Sequence, residues 1–161
     1  MRLSLRAGFS CIALVSGGLV VAGLILGELL RLHPCPLCIF QRLLYLVVMV
    51  FALAGALWPG ASRIWGGLTA LAAAGGMATA AYQSWLQLAP EVASECGFGE
   101  PTLIEQLVDW LGMQWPAMFM ATGFCSSKEW VFLGLSMANW SIACFAALLV
   151  FVAWLVWRRQ S

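Results

Sequence analysis

Long apolar runs separated by short polar breaks dominate the chain. Phe9 to Leu30 is almost uninterruptedly apolar, and about 20 such residues are enough to cross the hydrocarbon core of a bilayer as a helix. A cleaved leader is the competing reading, since Arg2 and Arg6 form a basic start. The apolar region is too long for one, however, and no clear small-x-small site follows. A second run extends from about Ile39 to Trp58 and stops at Trp58-Pro59-Gly60, a turn signal with an interfacial aromatic. The third, from about Ile64 to Leu86, is rich in Gly and Ala. Small residues such as Gly66, Gly67, Gly75 and Gly76 let helices approach closely in lipid, which places this helix centrally. A fourth run, from about Trp140 to Trp157, precedes Arg158-Arg159. The pattern predicts an all-α membrane protein: a four-transmembrane-helix bundle forming a single integral membrane domain over residues 1–161.

Between the third and fourth runs lies a long loop, roughly Gln87 to Asn139, which holds most of the acidic residues. Within it, Pro101 to Leu111 carries apolar residues at helical spacing with Glu105 and Asp109 opposite, the pattern of a short interfacial helix. Orientation follows from the positive charges. With four spans, Arg2, Arg6, Arg63, Arg158 and Arg159 fall on one side, and Arg31, Arg42 and Lys128 on or near the other. The excess predicts both termini in the cytoplasm and the long loop outside.

Composition agrees with a lipid-embedded chain: 63% of residues are apolar and only 9% charged, against about 25% charged in soluble domains. A net charge of +1 without an internal basic run excludes nucleic acid as a partner. The six cysteines sort by position. Cys11 and Cys144 fall inside apolar runs and read as small hydrophobes. Cys35, Cys38, Cys96 and Cys125 all fall at or beyond span ends on the outer face, where an oxidising compartment sustains disulfides.

Chemistry concentrates at the mouth of the second span. In Cys35-Pro36-Leu37-Cys38 the two-residue spacing brings both sulfurs within disulfide reach across a single turn, and such pairs often contain one thiol of depressed pKa. Pro34 and Pro36 bias the residues before them away from helix, so Cys35 is expected in an irregular loop up to the start of the span. Arg42 follows Cys38 by four residues, one helical turn along the same face, where a guanidinium favours a thiolate or another anion. A fixed pair beside the membrane and two further cysteines in a loop suit electron relay by thiol–disulfide exchange. No metal or flavin motif offers the electrons an exit, so a lipid-soluble acceptor is the economical outlet.

The segments Pro34-Cys35-Pro36-Leu37-Cys38-Ile39-Phe40-Gln41-Arg42, Leu86-Gln87-Leu88-Ala89-Pro90 before Cys96, and Gly123-Phe124-Cys125 followed by Trp130-Val131-Phe132-Leu133-Gly134-Leu135 resemble the disulfide bond formation protein B (DsbB) family. The resemblance covers essentially the whole chain. It implies a quinone-dependent thiol oxidase of the bacterial inner membrane that reoxidises a periplasmic DsbA-type dithiol oxidase. By the same resemblance, Cys96 is the loop sulfur attacked by the partner and Cys125 its mate, while Cys35 and Cys38 form the membrane-proximal disulfide. Cys38 would reduce ubiquinone, or menaquinone under anaerobic growth, and Arg42 would hold the quinone headgroup. Some family members carry a histidine linked to the quinone pocket near the outer end of the third span, and Gln83 stands there in this chain. A glutamine can donate a hydrogen bond to a quinone carbonyl but cannot carry a proton at neutral pH.

Three other readings compete. A four-thiolate zinc or copper site would use Cys35, Cys38, Cys96 and Cys125, but no second Cys-x-x-Cys exists to support it. Purely structural disulfides would make the chain a four-span interaction protein. A vitamin K epoxide reductase-like enzyme also joins four spans to a Cys-x-x-Cys at a quinone site. Its motif lies late in the chain, whereas this one lies early.

Overall fold

A computed structural model describes residues 4–89, 102–126 and 130–158. It contains four helices that are long and apolar enough to cross a membrane. They are α1 (Leu5–Leu29), α2 (Pro36–Leu57), α3 (Ser62–Leu88) and α6 (Met137–Trp157). Each starts a few residues before the apolar run that predicts it; at α1 and α2 a side-chain cap fixes the first residue, while α3 and α6 start without one. Ser4 caps α1 by accepting a hydrogen bond from the Ala7 N–H at 3.2 Å. The end of α1 is a Schellman turn, with Arg31 in the left-handed region (φ 48) and the Leu32 N–H donating to the Gly27 carbonyl. Between α2 and α3 there is only the 3₁₀ turn Pro59–Ala61.

The bundle is built around α2 and α3, with α1 packed chiefly on α2 and α6 on α3. Phe9, Ile12, Val48, Ala73, Phe145 and Val152 form the shared core. Glycines set the α3–α6 approach. A Cβ on Gly76 would run into the Phe145 ring, and one on Gly66 into Val156. Gly67 and Gly75 face open space instead, so two of the four small residues noted in the sequence admit the neighbouring helix.

Two further helices and a hairpin cap the end of the bundle at which α2 begins. Helix α4 (Leu103–Gln114) starts at a capping box in which Thr102 and Glu105 satisfy each other's backbone N–H groups. It begins and ends later than the amphipathic pattern suggests, because Thr102 is its cap. Val108 on its inner face is fully buried against Ile39 and Phe119, while Leu103, Trp110 and Met113 stay exposed. A single turn, α5 (Pro116–Phe119), follows. Then come β1 (Val131–Phe132) and β2 (Leu135–Ser136), an antiparallel pair with Val131 opposite Ser136. Their two-residue turn, Leu133-Gly134, has positive φ at both positions (53 and 79), the twist a tight hairpin needs. Neither α5 nor the hairpin is apparent from the hydropathy pattern.

Candidate active site

Cys35 is the N-cap of α2 rather than a loop residue ahead of it. Pro36 takes the first helical position, where its missing N–H costs nothing. The Cys35 sulfur accepts a hydrogen bond from the Cys38 N–H at 3.3 Å, the role that a Ser or Asp oxygen plays at other helix starts. Cys38 thereby falls in the first turn, and the two sulfurs lie 3.0 Å apart at the positive end of the helix dipole.

The loop after α5 delivers the third thiol. The Thr122 and Gly123 N–H groups both donate to the Pro34 carbonyl, at 2.9 and 3.1 Å. Gly123 lies so close to the His33 carbonyl that no Cβ fits between them. This pinning seats Cys125 against Cys35, in an apolar nest with Leu37, Leu86 and Ile104. Cys35 is only 3% exposed. Its thiol is held well above the usual range by its hydrogen bond to Cys125, by a second to Cys38 and by burial. The Cys125 thiol is pushed down by the hydrogen bond it receives from Cys35, against the opposing effect of its own burial. One protonated sulfur thus sits between two others.

Gln83, near the C-terminal end of α3, reaches both sulfurs of the α2 pair. Its Nε2 donates to Cys38 Sγ at 3.0 Å and to Cys35 Sγ at 3.4 Å, and its Oε1 accepts from Gln41 Nε2 at 2.7 Å. Gln41 has no role assigned from the sequence alone. The signal that marks it is an uncharged polar side chain inside an apolar span, which lipid tolerates only on the interior face. Beside these groups a cavity of about 210 Å³ opens between the four spanning helices, with Cys38, Gln41, Arg42 and Gln83 among its polar lining. Among the described residues, the Arg42 guanidinium makes long hydrogen bonds to backbone, to the Met118 carbonyl at 3.4 Å and the Gly23 carbonyl at 3.5 Å, which leaves charge available toward the cavity. Leu19, Val20 and Leu26 of α1 provide the apolar wall.

The structure therefore brings together Cys35, Cys38, Cys125 and Arg42, four of the five site residues expected from the sequence. The fifth, Cys96, lies outside the described residues. Cys11 is exposed on α1, and Cys144 is half-buried at the edge of the same cavity, near Tyr45. Among the described residues, no three His, Cys, Asp or Glu side chains converge to hold a metal ion.

Comparison with known proteins places this arrangement. The family model described as disulfide bond formation protein DsbB matches residues 5–155. The chain belongs to the DsbB family. A disulfide bond formation protein B from Dechloromonas aromatica (strain RCB) is 49% identical over 159 residues, covering 99% of this chain and 96% of that one. Namesakes from Azoarcus sp. (strain BH72) and Nitrosomonas europaea are each 39% identical, covering 96% and 98% of this chain and 94% and 96% of their own lengths. As a DsbB-family member the chain is a multi-pass membrane protein of disulfide bond formation, with the oxidoreductase activity that this entails. The thiol cluster at the head of α2 is the group of side chains suited to that chemistry.

Proposed function

We propose that this protein is a protein-dithiol:quinone oxidoreductase that reoxidises a periplasmic DsbA-type thiol oxidase. It would do so as one membrane domain in the bacterial inner membrane, with both termini cytoplasmic and the redox loops periplasmic. The observation that carries the reading is the position of Cys35, in contact with Cys38 on one side and Cys125 on the other, at the mouth of an apolar cavity that holds Arg42.

The sulfur chemistry follows from these contacts. The family resemblance gives Cys96 and Cys125 as the loop disulfide. A partner thiolate attacks Cys96, forming a mixed disulfide and releasing Cys125 as a thiolate. Cys125 then attacks Cys35: the Cys125–Cys35 bond forms, the Cys35–Cys38 bond breaks, and its electron pair leaves on Cys38. The partner's second thiol resolves the mixed disulfide and frees Cys96, which attacks Cys125 and expels Cys35. The loop bond is restored, and two electrons rest on the Cys35/Cys38 pair. Each step is an exchange in which one thiolate enters and one leaves.

The cavity fits a quinone ring. Its volume is below that of pockets for drug-sized ligands, about 300–1,000 Å³, which suits a single substituted ring, and the α1 wall is apolar where an isoprenoid tail would lie. Bound there, ubiquinone or menaquinone supplies an acceptor for two electrons and two protons. Arg42 holds the headgroup by its charge and stabilises anionic sulfur at Cys38, one turn earlier on the same face of α2. The reading is tested with the purified protein in lipid, a reduced DsbA-type partner and either quinone. Partner oxidation coupled to quinone reduction is expected. Failure to oxidise any dithiol partner overturns it.

A further inference from the structure

Gln83 is buried to 3% exposure and Gln41 to 4%, and hydrogen bonds made away from bulk water in this way are correspondingly strong. A primary amide has two N–H donors. In Gln83 the amide nitrogen lies 3.0 Å from Cys38 Sγ and 3.4 Å from Cys35 Sγ, so its donation is aimed at this pair of sulfurs and most closely at Cys38. The polarity of the relay runs one way: the Gln41 N–H donates to the Gln83 carbonyl oxygen, and the Gln83 N–H groups donate to sulfur. An ionised sulfur only accepts, so it reinforces this direction. Turning the Gln83 amide over would aim its oxygen at the sulfurs and its hydrogens at the donating end of Gln41.

We propose that Gln83 is a catalytic hydrogen-bond donor that holds Cys38 as the thiolate when the Cys35–Cys38 bond opens, and that Gln41 is the positioning residue that keeps the Gln83 amide hydrogens turned toward sulfur. The proposal rests on the relay described above and names the group that receives its leaving sulfur. As the Cys125–Cys35 bond forms and the Cys35–Cys38 bond breaks, the electron pair arrives on Cys38, where the Gln83 amide nitrogen already lies 3.0 Å from the sulfur. No proton moves in this step. A neutral amide does this without titrating, so its support does not vary with pH as that of an imidazole would.

The test uses the full chain in lipid, reduced and free of quinone, and follows alkylation of Cys38 by iodoacetamide with peptide mass spectrometry. Gln83→Met keeps the length of the side chain and removes the donor. It should slow Cys38 alkylation at pH 7 by about tenfold, the loss expected for a hydrogen bond to a charged group. The gap should close at alkaline pH, where the thiol ionises without help. Gln41→Met should slow the reaction by about threefold with the same pH profile, while Cys125 is alkylated at its original rate. Gln83→Leu provides a second variant if the methionine protein does not accumulate. Unchanged Cys38 alkylation in both Gln83 variants overturns the donor role, and an unchanged rate in Gln41→Met overturns the positioning role. Because neither quinone nor partner enters this assay, its failure is distinct from failure of the quinone oxidase reading.

Discussion

The hydrogen bond shared by Cys35 and Cys125 drives the two thiols apart in reactivity. Donating to Cys125 and Cys38 keeps Cys35 protonated, and receiving that hydrogen bond favours Cys125 as the thiolate. Because the Cys125 pKa is lowered, its ionised form persists as pH falls below the ordinary thiol range of about 8.5. The Cys35 pKa is raised, so Cys35 stays a thiol throughout neutral pH. In the reduced protein at pH 7, iodoacetamide should therefore label Cys125 well before Cys35, with the preference narrowing as pH rises; equal rates at pH 7 would contradict this. Arg42→Ala should leave the bundle folded while raising the quinone KM about tenfold, since a charge-assisted contact to the headgroup is lost. An unchanged KM and turnover would remove Arg42 from the quinone site. At this scale Cys35, Cys38 and Arg42 are legible in the sequence, because spacing within one helix sets their register. Gln41 and Gln83 become a pair only when α2 and α3 pack together, 42 residues apart along the chain.

At the scale of elements, apolar runs reveal that helices exist, and side-chain caps fix where α1, α2 and α4 start. Cys35 shows the consequence, since the cap of α2 is also a reactive sulfur. Two close approaches set the geometry of the bundle and of the thiol cluster. Gly76 admits Phe145, so Gly76→Val should overpack the α3–α6 contact at a cost of about 1–3 kcal/mol. Thermal unfolding in detergent reads this, and an unchanged midpoint would mean that α6 yields freely. Gly123 seats the Cys125 loop against the His33 carbonyl. Gly123→Ala should displace Cys125 and slow formation of a Cys35–Cys125 disulfide about 10- to 100-fold, measured after mild oxidation of a chain lacking Cys38 and Cys96. The hairpin at Val131–Ser136 escapes the hydropathy pattern because two-residue strands are too short to show a period. Its one sequence sign is the Gly134 needed for a tight turn.

For the whole molecule, orientation decides whether the thiols can work at all. An impermeant maleimide added to intact spheroplasts should label reduced Cys125, whereas protection until the membrane is opened would place the cluster in the cytosol and end the relay. Four apolar stretches, a Cys-x-x-Cys at a span mouth and an arginine one turn beyond are properties of local order along the chain, and hydropathy and helical register are enough to specify them. The seating of Cys125 on Cys35, the amide relay from α2 through α3 to sulfur, and the cavity between the four spanning helices join residues tens of positions apart. Contacts of that kind are decided by side-chain packing between helices and by a loop tied to one carbonyl, and no periodicity in a single segment encodes them.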